Sequence, residues 1–175
     1  MAKLRKMLGN IEDPSIVSLM RIMETQSKVT LAHWAITYAE KNILSIYESI
    51  YNGDLRLRDA ISSSKEYLDG AKKLGEVKPI LKDLRDIAKD IKDNPIGEAA
   101  ARAVSTACAT IQTPTNALGF TFYAVAATVY NQVGLCEKQE VYDELAKIEF
   151  TKILESFNEV AIEGEENPAK INWNC

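Results

Sequence analysis

The stretch AVSTACATIQTPTNALGFTFYAVAATVYNQVGLC, residues 103–136, contains 34 residues and no charged side chain, in a chain of which 26% is charged. Such a run calls for burial. It is rich in small residues, Ala103, Ser105, Ala107, Ala109, Ala117, Gly119, Ala124, Ala126 and Ala127, so helices built from it can approach closely. At its centre, Gln112-Thr113-Pro114-Thr115-Asn116 sets four polar residues about a proline. Polar groups in an apolar setting need partners. One reading makes the centre a junction in which Thr113 caps a helix, Pro114 begins it, and Gln112 and Asn116 meet buried backbone groups; the other makes it a ligand site. The run is longer than the ~20 residues that span a bilayer. However, Gln112, Asn116, Asn131 and Gln132 punctuate it and no positive cluster flanks it, so a membrane span is not expected.

Outside the run, proline and glycine mark the ends of further helices. Asp13-Pro14 and Asn94-Pro95, like Thr113-Pro114, pair a capping side chain with a proline suited to a first helical turn. Together with turns at Asn52-Gly53-Asp54, Asp69-Gly70 and Gly134, they place helices near 13–26, 28–51, 55–69, 77–92, 95–112, 114–133 and 138–162. Only Thr121 to Val129 is rich enough in β-branched and aromatic residues to suggest a strand. The expected fold is all-α, a single-domain antiparallel bundle of about six to seven helices, with a helical domain over 1–162 and a tail over 163–175. Trp173 would dock that tail, since a terminal indole buries much area.

On the second helix, Val29, Ala32, Ala35, Ile36, Ala39, Ile43, Ile46 and Ile50 form a broad apolar arc, with Trp34 half-buried at its edge. The last helix has two apolar faces. Tyr142, Ala146, Phe150, Ile153, Phe157 and Val160 share one, while Val141, Leu145 and Ile148 form a second stripe on a different side of the helix at ~100° per residue. Glu137, Glu144, Glu149, Lys152 and Glu155 surround that second stripe. Residues 137–166 carry ten carboxylates against Lys138, Lys147 and Lys152. An apolar strip with a charged rim suits a protein interface, where burial gives affinity and the rim orientation. Packing on two sides is the plainer explanation. The excess of carboxylates argues against nucleic acid as a partner.

Catalytic chemistry finds little support. His33 is the only histidine and no Glu-x-x-His pair exists, so neither a di-iron nor a zinc centre is expected, and no metal or cofactor is assigned. Glu40 is placed to share the face of His33. Cys108, set among alanines, reads as a small buried hydrophobe. The eight glycines are scattered and form no phosphate loop. In Asp54-Leu55-Arg56-Leu57-Arg58-Asp59, Asp54 suits an N-cap, and Arg56 and Arg58 form intramolecular ion pairs or clamp a ligand carboxylate. Three cysteines and an N-terminus, Met1-Ala2-Lys3-Leu4-Arg5-Lys6, with no apolar stretch behind it point to a reducing cytosol.

Several motifs, spread nearly end to end, resemble one family. They are Leu8-Gly9-Asn10 with Asp13-Pro14; Leu19-Met20-Arg21; Glu24-Thr25-Gln26-Ser27; Trp34 with Tyr38-Ala39-Glu40; Ile46-Tyr47-Glu48; Arg56-Leu57-Arg58-Asp59-Ala60; Thr113 to Gly119; and Asn167 to Trp173. In these the chain resembles small helical bacterial proteins labelled immunity proteins, which share the fifth-immunity-protein-like domain of polymorphic toxin systems. The family usually has Arg-Pro-Arg at Arg56-Leu57-Arg58, Trp at Tyr67, and His at Gln112 and Asn116. Amides there cannot titrate and are poor transition-metal ligands, so this chain departs from any histidine chemistry. The resemblance implies a non-enzymatic cytosolic binder of a cognate protein toxin, with Val141, Leu145, Ile148, Glu137, Glu144 and Glu155 as candidate contacts. The competing expectations are a small-molecule or enzymatic pocket between the Ala-rich helices, lined by Trp34, Arg56, Arg58, Gln112 and Asn116, and a homodimer through the second stripe.

Overall fold

The computed structural model describes residues 3–174, and among them eight helical segments and no strand. The centre is a hairpin of α6 (Pro95–Ala109) and α7 (Asn116–Val133), which pack on each other more extensively than any other pair. Ala99, Ala100, Ala103, Val104, Ala107 and Cys108 of α6 and Ala117, Phe120, Ala124, Ala127 and Val129 of α7 are all buried. Small side chains allow this close approach, and the absence of charge leaves no ion to desolvate. The uncharged run is thus largely core, and Thr121 to Val129 is helix.

Its middle differs from the expectation. Gln112 and Thr113 are exposed and α7 begins at Asn116, two residues after Pro114. The turn closes through its own backbone, Asn116 N to Thr113 O at 3.1 Å and Ala117 N to Pro114 O at 3.0 Å, without a side-chain cap from Thr113. The loop lies at the bundle's end, where water serves the polar groups that the apolar neighbours had seemed to enclose.

The other helices surround this hairpin. α1 (Pro14–Met23) and α8 (Gln139–Val160) pack together, and α8 also lies on α7. α2 (Lys28–Asn42), α3 (Leu44–Ile50) and α5 (Leu74–Asp90) rest on α6, and α4 (Arg56–Leu68) bridges α2, α5 and α6. Two proline caps form as read: Asp13 Oδ1 accepts Ser15 N at 2.8 Å, and Asn94 Oδ1 accepts Gly97 N at 2.9 Å. The helix expected over 28–51 breaks at Ile43 into α2 and α3. There the Asn42 side-chain amide donates to Tyr38 O at 3.0 Å, competing with the backbone ladder. α5 starts at Leu74, ahead of the expected 77, because Glu76 accepts Lys73 N at 2.7 Å and anchors the first turn. Pro79 then sits inside α5, and the carbonyl it leaves without a donor belongs to exposed Gly75, within reach of water.

Trp34 is more deeply set than its edge position suggests, at 4% exposure. Its ring meets Phe120 at 5.3 Å and Phe157 at 4.8 Å, and its Nε1 donates to Ser156 Oγ at 3.1 Å, so one indole joins α2, α7 and α8. Edge-on aromatic pairs add about 1 kcal/mol each beyond area burial. Val29, counted with the apolar arc, is exposed because it lies in the first turn of α2, ahead of the contact with α6. The N-terminal segment is strapped to α7: Leu8 N donates to Phe122 O at 3.2 Å, and Tyr130 Oη to Arg5 O at 2.7 Å. At Gly9, φ is +124° and a Cβ would lie 2.5 Å from the Phe150 ring, so backbone conformation and contact both require glycine.

Residues after α8 run back over the α1–α2 junction. Gln26, 1% exposed, donates from Nε2 to Ile162 O and accepts Ile162 N at Oε1, at 2.9 and 2.8 Å, and Ala169 N donates to Gln26 O at 2.8 Å. Glu165 accepts Ser27 N and Ser27 Oγ, each at 2.8 Å, and Thr30 Oγ1, capping α2 from outside. Trp173 Nε1 donates to Glu24 Oε1 at 2.7 Å. Burial raises the Glu165 carboxyl, but the donors from Thr30 and Ser27 outweigh it and hold the group below its ordinary 4.5. A depressed carboxyl stabilises the attachment above the ordinary value and loses that contribution as pH falls through the depressed one. Trp34 is buried and stays shielded, so acrylamide quenching is expected to rise at half-buried Trp173 as pH falls through the depressed Glu165 value, while far-UV circular dichroism persists. Glu165→Ala is expected to show the raised quenching already at pH 7; unchanged quenching in that variant would contradict the clamp.

Candidate interaction surface

The 100° step of an α-helix divides α8 into an inner and an outer side. Tyr142, Ala146, Phe150, Ile153 and Phe157 are buried against the bundle, as the periodicity requires. Two residues depart from it. Val160, placed with the core face, is 44% exposed because the helix ends there and the chain turns away. Glu149, placed in the charged rim, is 8% exposed; its carboxylate stays satisfied by Lys152 Nζ at 2.9 Å.

The outer side carries the second stripe. Val141 is 37% and Ile148 54% exposed, and Leu145 between them is half-buried against the edge of the core. Glu137, Glu144 and Glu155 are exposed around it. Glu144 pairs with Lys147 at 3.0 Å, whereas Glu137, Glu140, Glu155 and Glu159 have no ion-pair partner among the described residues. Solvated carboxylates flanking unburied valine and isoleucine leave a surface that is apolar at its centre and negative at its edge.

Beside this strip lies a depression of about 710 Å³ between α8 and the N-terminal segment, which Asp143 and Glu144 line from the helix side. Met7 and Ile11 line it from the other, 43% and 51% exposed. Sequence reasoning missed these two, since they belong to no helix whose periodicity could mark a face. The available signal is local: they flank Leu8-Gly9-Asn10, where buried Leu8 and the strained Gly9 pin the chain and turn its neighbours outward.

The residues proposed for a small-molecule pocket between the Ala-rich helices are not brought together. Trp34 lies beside a depression of about 340 Å³ formed with His33 and Tyr38. Arg56 is held by Asp54 through Nε at 3.0 Å and Nη2 at 2.8 Å, which keeps the Asp54 carboxyl well below the usual carboxylate range. Asp54 also accepts the Tyr47 hydroxyl at 2.8 Å; burial, then this bond, pushes that phenol up to about 12. Arg58 forms a bidentate pair with Glu48. Both arginines therefore form intramolecular pairs, and Asp54 also accepts the Arg56 N–H at 3.1 Å in the manner of a cap. Gln112 is exposed, and Asn116 lines a different depression beside α5. The close packing of α6 on α7 explains the separation: small side chains bring the backbones together instead of leaving room between them.

Chemistry elsewhere is quiet. Burial pushes the Cys108 thiol up to about 12, unsuited to nucleophilic attack. Glu40 pairs with Lys65 rather than with exposed His33. Among the described residues, no cluster of His, Cys, Asp or Glu could hold a metal ion, and no helix is long and apolar enough to cross a membrane.

A free surface and a core face on one helix respond differently to substitution. Ile148→Asp is expected to change unfolding free energy by no more than about 0.5 kcal/mol, and Phe150→Ala to cost about 3–5 kcal/mol, both measured by urea denaturation. Equal losses would show the outer strip to be packed.

Residues 21–153, which include Val141, Leu145 and Ile148, match the family model described as Imm-5 like putative immunity protein. No curated protein and no solved structure shows a significant match. With well over half of its length matched, the chain belongs to the Imm-5 like immunity protein family.

Proposed function

We propose that this protein is a non-enzymatic immunity protein of the bacterial cytosol, which binds and neutralises a cognate protein toxin through the outer face of α8. The observation that carries the surface assignment is the exposed strip of Val141 and Ile148, with half-buried Leu145, bordered by Glu137, Glu144 and Glu155. An apolar centre supplies affinity when it is desolvated, and the carboxylate rim steers a basic partner and sets its orientation. Unpaired rim carboxylates also raise the encounter rate with such a partner, an effect that salt screens. A toxin acting on nucleic acid has the basic footprint this rim complements. The inert Cys108 thiol and the intramolecular pairing of Arg56 and Arg58 support a binding rather than a catalytic role.

The test is capture of the products of neighbouring genes by the immobilised chain, followed by titration of the captured partner. One such product is expected to bind, and Leu145→Asp and Ile148→Asp are each expected to weaken binding at least about tenfold, or ~1.4 kcal/mol. Failure to capture any neighbouring product, or undiminished binding by both variants, would refute the assignment. Light scattering separates the homodimer alternative: a wild-type dimer that Ile148→Asp converts to monomer would assign the strip to self-association instead.

A further inference from the structure

On the side of the hairpin away from α8, three helices turn polar positions toward one depression of about 310 Å³. α5 contributes Arg85 and Lys89, α6 contributes Arg102 and Thr106, and α7 contributes Asn116 and Tyr123. Each pair is spaced by four or seven residues, so each lies on one helical face. The lining contains three cations and no carboxylate, in a chain whose net charge is −4. None of the acidic residues of α5 lines this depression, and Asp83 lines a separate one with Arg56 and Asp59. Of the three lining cations, Arg102 is paired: Glu98 holds its Nε at 3.0 Å and Lys6 Nζ at 3.1 Å, and so neutralises one of two cations.

The remaining groups are unspent. Among the described residues, Arg85 and Lys89 have no ion pair or hydrogen bond, and the side chains of Thr106, Asn116 and Tyr123 have no hydrogen-bond partner. Gly119 lies between Thr106 and Asn116, where a Cβ would make only ordinary contacts, 3.7 Å to Thr106 Cγ2 and 4.0 Å to Asn116 Oδ1. Cations without counter-ions beside neutral donors, in a hollow at the lower end of small-molecule site sizes, fit a compact multivalent oxyanion. We propose that this depression binds a phosphate group, either free phosphate or the phosphate end of a small phosphate monoester. Arg85 and Lys89 would supply its counter-charge, and Thr106, Asn116 and Tyr123 neutral hydrogen bonds. A phosphate's charge of about −2 and three acceptor oxygens match that set better than a carboxylate does.

The test is calorimetric titration of the full chain with inorganic phosphate and with ribose 5-phosphate, at ionic strength matched by chloride. Saturable binding is expected, tighter for ribose 5-phosphate if the natural ligand is an ester and equal for the two if it is free phosphate. Arg85→Glu/Lys89→Glu, on an exposed helix face, is expected to weaken binding at least tenfold. Asn116→Ala is expected to weaken it about threefold. Lys28→Glu/Lys41→Glu makes the same change in net charge at exposed positions elsewhere and is expected to stay within twofold of wild type; circular dichroism establishes that each variant folds. The proposal is overturned if neither phosphate compound binds at millimolar concentration, or if both double variants lose binding equally. It is likewise overturned if a single-stranded oligonucleotide binds more tightly than either and Lys78→Glu/Lys82→Glu, which extends the same α5 stripe, abolishes that binding.

Discussion

The close approach of α6 and α7 is the constraint on which the rest of the molecule depends. Two helices can lie this near each other only if the facing residues are small, and can stay dry only if none carries a charge. Residues 103–136 meet both conditions, so the hairpin offers faces to partners on several sides: α2, α3, α4 and α5 cover it from α6, and α8 from α7. Trp34 then ties α2 to α7 and α8 through Phe120 and Phe157. Because the hairpin is filled between its helices, candidate surfaces lie on the outer helices or on the outward sides of α6 and α7.

That consequence confines the candidate surfaces. α8 turns Tyr142, Phe150, Ile153 and Phe157 inward and leaves an outer face on which Val141 and Ile148 stay exposed among the described residues. A helix buried on one side ordinarily exposes polar residues on the other; Val141 and Ile148 depart from that rule while the carboxylates around them keep to it. The proposed interaction is placed there because Val141 and Ile148 are exposed within a rim of carboxylates. The basic hollow between α5, α6 and α7 arises from the same geometry, since α5 crosses the hairpin where Thr106 and Asn116 flank side-chain-free Gly119. Negative and positive surfaces therefore lie on opposite flanks of one uncharged centre.

The sequence shows some of this more clearly than the rest, for physical reasons. Asp13-Pro14 and Asn94-Pro95 announce helix starts correctly because both cap and proline act within one turn. Thr113-Pro114 looks the same locally but sits in a tight hairpin whose geometry moves the start of α7 to Asn116. Apolar neighbours made Gln112 look enclosed, whereas chain position at the bundle's end exposes it. The α8 strip was legible because one helix's periodicity contains it entire. The flanking Met7 and Ile11 were not, having no periodicity, and neither was the α5–α6–α7 hollow, because its cations and donors come from three helices whose relative placement only folding sets.

Native-state hydrogen exchange followed residue by residue tests the central role of the hairpin most directly. If the α6–α7 pair carries the structure, amides of Ala103, Val104, Ala107, Ala124, Val125 and Ala127 exchange only through global unfolding and share one slow limit, while those of α8 and the tail open at lower free energy. Exchange of the α6–α7 amides well above the slowest rates in α1 or α8 would contradict the account.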